Sequence, residues 1–305
     1  MKNVTCLVAL LGAAAGATLP AAAALQNEIS LDFAVRAEAE PTLDGRLDDA
    51  AWTKAVVHDR FYDYYKANPK LSANRSELRL LYTDAALWIG LTHYDSHMEG
   101  LKVIATARDS VGWHEDSDEV YVDPFGDAIG YTKLLVNAAG VIGDMRRIDG
   151  SVSLGEWSGL AWRAKTSVSG DRWEVEIRLP YSDLQKPPVP GGALWRLCVT
   201  RFSWTTGSFV GSVSSPNGSY NNTAGFGYLY FLKDGETPDA ALAKRVLEGR
   251  VTPPWGLWLG TTLLTDRGEG VVTMTEEECR AAEEREERRR AEIHRRLKEE
   301  FGGRE

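Results

Sequence analysis

Hydrophobic positions between residues 29 and 232 fall in short runs, some alternating with polar residues and some continuous. They are rich in β-branched and aromatic side chains and are broken by Gly, Asp, Asn and Pro. This rhythm predicts strands over 76–82, 87–93, 119–123, 132–137, 161–167, 172–179, 194–204 and 227–232. Turn signals separate them, among them Thr83-Asp84, Ala139-Gly140, Ser169-Gly170-Asp171 and Gly191-Gly192. Helical pieces in this stretch are short: one around 48–54, another around 181–184 between Pro180 and the prolines from Pro187 to Pro190. Many short strands with turn punctuation predict an all-β protein, an antiparallel β-sandwich, with a helical extension at its C-terminal end.

The pattern changes after Gly235. Pro238-Asp239 opens a predicted helix to about Glu248, and Pro253-Pro254-Trp255-Gly256-Leu257-Trp258 reads as an apolar connector. Thr275-Glu276-Glu277-Glu278 is a capping box, followed to about Glu300 by a segment made mostly of Glu, Arg and Ala. Glu284 with Arg288, Glu286 with Arg290, and Glu292 with Arg296 stand four apart in the favourable order, each pair worth roughly a few tenths of a kcal/mol. Its apolar positions, Cys279, Ala282, Ile293, Leu297 and Phe301, are too sparse for a heptad seam. A solvated, charge-paired helix is expected, with docking to a protein partner as the other reading.

The N-terminal end is of a third kind. Lys2 precedes the apolar run Val8 to Ala15, then Leu19-Pro20 and the small residues Ala21 to Ala24, the order of a secretory signal peptide with an Ala-x-Ala cleavage site. The expected organisation is a signal peptide over 1–24, a sandwich over 25–234, a helix and connector over 235–274 and a charged helix over 275–301. The chain is expected to be secreted or periplasmic. No run approaches the roughly 20 apolar residues of a bilayer crossing, so no transmembrane segment is expected. Cys6 lies within the signal, and the remaining Cys198 and Cys279 are too few for a disulfide scaffold and too far apart for a zinc-finger pair.

Composition narrows the function. A formal net charge of -9 argues against a nucleic-acid partner, which needs Lys and Arg to displace counterions. Ten Trp and eleven Tyr favour rings with a polar handle, suited to half-wet recognition surfaces. No Gly-x-Ser-x-Gly elbow, P-loop or dinucleotide fingerprint is present, and nothing selects a carboxylate pair for glycoside hydrolysis, so catalysis is not expected.

Five segments then occur in a telling order: Pro41-Thr42-Leu43-Asp44-Gly45 through Trp52; Leu80-Leu81-Tyr82-Thr83-Asp84 through Gly90; Glu115-Asp116-Ser117-Asp118-Glu119 through Pro124; Trp173-Glu174-Val175-Glu176-Ile177-Arg178-Leu179-Pro180 with Leu184; and Trp195 to Arg201. This succession resembles the family 9 carbohydrate-binding modules, β-sandwiches of the wider DOMON type found in secreted polysaccharide-processing systems. The resemblance implies a non-catalytic carbohydrate-binding module linked to carbohydrate catabolism. Sugar-binding members hold their ligand between two aromatic rings, with an acidic residue and an Asn nearby. A pyranose offers an apolar C–H face to the rings and hydroxyls to the polar groups. On this sequence Trp113 and Tyr220 align with the rings, Glu119 with the acid and Asn217 with the amide. Leu135 and Cys198 stand where those members carry an Arg and a Gln; Lys133 or Arg201 can replace part of their hydrogen bonding, with a structural ion pair as the equal reading of Arg201.

Other chemistry is weaker. His93, His97 and His114 with Glu115, Asp116 and Asp118 invite a metal reading, but H-x-x-x-H pairs imidazoles only on a helix, and 87–93 reads as a strand. Calcium in the acidic loops is the better cofactor expectation, as the resemblance also implies. Related DOMON-type domains bind b-type haem, for which Met98, Met145 and the histidines are the available axial ligands. An envelope scaffold using the C-terminal helix is the remaining alternative.

Overall fold

A computed structural model describes residues 28–64, 71–148, 151–153, 159, 161–205, 209–214 and 219–301. The expected signal peptide and Asn217 lie outside the described residues. Thirteen strands form one hydrogen-bonded array folded into two layers, and the first strand stitches the layers together. β1 (Leu31–Arg36) pairs parallel with β13 (Gly227–Phe231) from Leu31 to Ala34, then with β3 (Ser76–Tyr82) at Val35 and Arg36. On the β13 side the order runs through β11 (Leu194–Ser203), β5 (Ser117–Asp123), β6 (Tyr131–Asn137), β7 (Ile142–Ile148) and β8 (Ser151–Ser153), with β12 (Phe209–Ser212) on β11. On the β3 side it runs through β4 (Ala86–Tyr94), β10 (Arg172–Pro180) and β9 (Arg163–Ser169), with β2 (Val57–His58) on β3.

Alternation explains the core. Leu78, Leu80 and Tyr82 of β3, Leu87, Ile89 and Leu91 of β4, and Val175, Ile177 and Leu179 of β10 meet Val120 and Val122 of β5, Leu134 and Val136 of β6, and Leu197 and Val199 of β11. The intervening residues face outward and find separate cover. On the β3–β4–β10 layer, Leu81 and Trp88 are capped by Trp52 and by Leu43 and Leu47. Glu176 is buried there, accepting from Trp52 Nε1 (3.1 Å), Asp44 N (3.0 Å) and Gly45 N (3.2 Å). Burial pushes its carboxyl up to about 7 against the pull of those donors. Gly45 is required: at φ 89 its α-carbon lies so close to the Thr166 main chain that a side chain would collide with it.

The stretch read as helix and connector holds more regular structure than the sequence pattern shows. α1 (Ala240–Leu247) is capped by Asp239, whose carboxylate accepts from Leu242 N at 2.8 Å, and three strands follow: β14 (Trp255–Leu259), β15 (Thr262–Asp266) and β16 (Val271–Thr275). Leu242, Val246 and Leu247 of α1, with Trp255, Leu257 and Leu264, cover the outer side of β1 and β13 at Leu31, Phe33, Tyr230 and Leu232. The extension is thus part of the fold's second core. α2 (Glu276–Phe301) opens with the expected capping box, Glu278 N donating to Thr275 Oγ1 at 3.2 Å and Thr275 N to Glu278 Oε2 at 2.7 Å. All three expected Glu–Arg pairs form, at 3.5, 3.1 and 2.8 Å. Cys279 and Ala282 are buried, with Cys279 against Leu263, Trp258 and Met274, and Ile293 faces solvent.

Candidate functional site

β5 is buried along its whole length, and its acidic residues alternate between two environments. Asp118 points into the interior, where His93 Nε2 meets it at 3.0 Å and His93 Nδ1 meets Ser76 Oγ at 2.9 Å. Beside it lies Arg201, 0% exposed, 3.3 Å from Asp95 and donating to Ser76 Oγ and the carbonyls of Arg75 and Tyr94. Burial lowers the pKa of Arg201, and Asp118, Asp95 and Asp116 pull it back up. Arg201 is therefore a structural ion pair and does not face the outer side of β11. Burial likewise lowers His93, and both of its ring nitrogens are engaged, which leaves none for a metal or a haem iron.

Glu119 and Tyr121 face the opposite way. Glu119 is 5% exposed, with Lys133 Nζ at 2.6 Å and the Tyr121 hydroxyl donating to its other oxygen. Register sets Leu135 opposite Glu119 on β6, and Thr200 and Cys198 opposite Glu119 and Tyr121 on β11. Glu119, Lys133, Leu135 and Cys198 thus share one face, with two positions that carry no strong hydrogen-bonding group. Burial pushes the Cys198 thiol up to about 11, an inert state at neutral pH.

Aromatic side chains cover the middle of this face. Tyr121, Tyr131 and Phe226 form a three-ring cluster with centroids 5.5 to 5.7 Å apart, and Tyr220 and Cys198 pack into it. Tyr220, expected as the second stacking platform, is 5% exposed. Its ring is a wall of the cluster and has no open face for a sugar. Tyr62 adds to the cover, exchanging main-chain hydrogen bonds with Ser212 (2.8 and 3.0 Å), and its ring lies 5.5 Å from that of Tyr64.

The rim at the start of β5 is different. Trp113 is 61% exposed, on a loop fixed by Glu115 and Asp116. Glu115 accepts from Ile104 N (2.8 Å), Ala105 N (3.0 Å), Asn137 Nδ2 (3.0 Å) and Gly112 N (3.3 Å). Burial opposes its charge, but these donors outweigh burial and hold its carboxyl below the usual range. Asp116 accepts from Lys102 N (2.7 Å) and Trp204 N (2.9 Å). Trp204 Nε1 in turn donates to the Trp113 carbonyl at 3.0 Å, and Lys102 Nζ sits 3.7 Å from the Trp204 ring centroid. Trp204 is the functional candidate that sequence reasoning missed, although the period of two from Cys198 through Thr200 and Phe202 points to it.

The same geometry corrects the calcium expectation. Glu115, Asp116, Asp118 and Glu119 each meet protein donors, and no group of three or more His, Cys, Asp or Glu among the described residues is arranged to hold a metal. These residues do not fit a calcium site. Met98 packs on the core edge and Met145 is buried. Among the described residues no helix is long and apolar enough to cross a membrane.

No protein-family model matches the sequence, and no curated protein matches it. Solved structures do. A family 9 carbohydrate-binding module from Caldicellulosiruptor kristjanssonii in complex with cellotriose superposes with a TM-score of 0.51 at 18% identity, covering 73% of this chain and 98% of that one. The fold is family-9-like. The glucose complex of a Caldicellulosiruptor kristjanssonii family 9 module gives a TM-score of 0.51 at 17% identity, over 68% of this chain and 99% of that one. A Bacteroides uniformis ATCC 8492 protein with a provisional carbohydrate-binding assignment gives 0.52 at 17% identity, over 67% and 99%. The family-9-like sandwich is the part of the chain these structures share.

Proposed function

We propose that this chain is an exported, non-catalytic module that binds oligo- or polysaccharide by stacking on Trp113, in the service of carbohydrate catabolism. The observation that carries the reading is the exposed Trp113 ring on a loop anchored by two buried carboxylates, with Trp204 held against its main chain. A large apolar ring presented to water on a pinned loop is a recognition surface: the ring loses little further freedom on binding. The sugar-bound family 9 neighbours support carbohydrate as the ligand class. Glu119 with Lys133 supplies the polar neighbour behind the rim, Asn217 is the proposed amide partner of the sugar hydroxyls, and Tyr220 acts as a wall that sets Tyr121.

The test is a titration of the purified chain with glucose and cellotriose, followed by intrinsic Trp fluorescence. Saturable quenching or a blue shift is expected. Trp113→Ala should weaken binding by about 1–3 kcal/mol, the stacking area it removes, with the melting temperature unchanged. Unaltered affinity in that variant, or no response to either sugar, overturns the reading.

A further inference from the structure

The segment that begins at β2 carries a cluster of ionisable side chains that the sugar-binding reading does not use. It lies where the sandwich meets the C-terminal extension, beside a cavity of about 240 Å³ lined by Asp32, His58, Arg60, Pro238, Trp258 and Gly260 among others. Here Ile29 N donates to the Gly256 carbonyl at 2.8 Å, and Arg60 reaches across to the turn between β14 and β15. Its guanidinium stands 3.9 Å from the Trp258 ring centroid and donates to the Gly260 carbonyl from Nε (3.3 Å) and Nη2 (3.2 Å). Positive charge strengthens both contacts.

His58 sets where Arg60 stands. Its Nδ1 is 2.8 Å from Asp32 Oδ1 of β1, and its Nε2 is 3.1 Å from the Arg60 carbonyl. A carboxylate and a carbonyl are both acceptors, so the ring satisfies both only with a proton on each nitrogen, as the imidazolium. Loss of either proton turns a lone pair toward an acceptor where water has little access, the His58 side chain being 17% and the Asp32 side chain 2% exposed. On one side of this point Val57 and His58 pair with Arg79 and Leu78 of β3, and on the other Tyr62 exchanges main-chain hydrogen bonds with Ser212. The movement therefore falls on residues 59–60 between them.

We infer that His58 and Arg60 form a proton-controlled latch between the sandwich and its extension. Charged His58 holds Arg60 on the turn between β14 and β15, and neutral His58 releases it. Burial opposes the charge on His58, but Asp32, the Arg60 carbonyl and Glu28 together outweigh burial and hold its pKa above the ordinary histidine value. The latch is therefore fully stabilised below about pH 6.5, the unfolded value, and loses that contribution as pH rises through the higher folded value. Glu28, bonded to Tyr62, is itself pushed up to about 7 by burial. Of the other charged groups near His58, Asp59 is exposed and Arg79 pairs with Glu77 at 2.6 Å. The extension's residues on the cavity, Pro238, Trp258, Leu259 and Gly260, carry no ionisable side chain.

The experiment follows amide hydrogen exchange of the full purified chain by mass spectrometry, on peptides spanning 255–266, from about pH 5.5 to about pH 8.5, corrected for the intrinsic pH dependence of exchange. Protection of 255–266 should fall about tenfold or more from acid to alkali, the equivalent of one charge-assisted contact, while that of β4 in the core changes less. Arg60→Gln and His58→Gln should each make exchange in 255–266 fast across the whole range. Asp32→Asn should move the midpoint to lower pH by about one unit or more. Arg60→Gln alters a half-buried side chain at the surface, so it keeps the test decisive should a variant at His58 or Asp32 fail to fold. Equal protection in acid and alkali in the unsubstituted chain overturns the latch, as does an undiminished pH dependence in Arg60→Gln. A transition that survives His58→Gln and disappears in Glu28→Gln belongs to Glu28 and also overturns it.

Discussion

Replacing Arg201 with Met tests whether the buried ion-pair network, and not the apolar core alone, holds the Trp113 rim. The guanidinium is wholly buried among Asp95, Asp116 and Asp118, and it also ties the carbonyls of Arg75, just before β3, and Tyr94, the last residue of β4. Methionine keeps the unbranched bulk but leaves Asp95 without its cation. Removing one partner of a buried pair costs about 3–5 kcal/mol. At roughly 2 °C per kcal/mol for a chain of this length, the melting temperature should fall by about 6–10 °C. Adding Asp95→Asn removes the stranded charge, so the double variant should regain much of the loss. The pH dependence has a definite sign. Without the cation, less offsets the burial that disfavours the charged form of Asp116, so the deficit of Arg201→Met should shrink as pH falls. Urea denaturation followed by Trp fluorescence at neutral and acidic pH measures all of this. A loss under about 1 kcal/mol, or a double variant no better than the single, would refute the reasoning.

The remaining predictions concern other parts of the fold. Burial pushes Glu176 and Glu28 each to about 7 from 4.5, so the native state keeps protons that the unfolded chain releases. Stability should therefore fall as pH rises from about 4.5 to 7, and Glu176→Gln should flatten that slope in a series of melts. Truncation after Gly235 uncovers Leu31, Phe33 and Tyr230 and should lower the melting temperature sharply, whereas truncation after Thr275 uncovers the smaller cluster of Leu263, Trp258 and Met274 and should lower it less. A native thiol titration should find Cys198 unreactive until denaturant is added, since its sulfur is buried and its ionisation is suppressed.

Much of this fold is legible in the sequence because its inner strands face one core and alternate cleanly. Leu78 to Tyr82 and Val175 to Leu179 each show the period of two that the structure uses. The strands that escape the pattern fail for identifiable reasons. β7 reads Ile-Gly-Asp-Met-Arg-Arg-Ile, because its charged residues make contacts at the end of the sandwich, and β1 does not alternate simply because it serves both layers. β14 to β16 look like a connector because one side packs on β1 and β13 while the other lies near solvent. At the site, Glu119, Lys133, Leu135 and Cys198 share one face, a grouping that the family resemblance implies and that the period of two along each strand allows. The resemblance assigns Tyr220 to stacking, whereas its burial depends on Tyr121, Tyr131 and Phe226 from distant parts of the chain. No local signal reports such a cluster.

The acidic run before β5 shows why a pattern of carboxylates does not by itself identify a metal site. Consecutive residues at a strand entrance point in different directions, so Glu115, Asp116, Asp118 and Glu119 reach four sets of partners and converge on no single point. Two of them satisfy backbone N–H groups that a loop would otherwise leave unpaired, which costs free energy wherever water is excluded. Asp123 does the same at the far end of the strand. β5 is thus a rigid bar with a carboxylate-pinned loop at each end, and each loop presents one exposed ring, Trp113 or Phe125. Because the pinning groups are separate, the two rings can be perturbed independently, and a ligand that needs both must span the length of the strand. The chemistry around each ring differs: Trp113 is flanked by Trp204 and Lys102, Phe125 by arginines and Lys186. A single sandwich strand can therefore carry unlike surfaces at its two ends without either constraining the core between them.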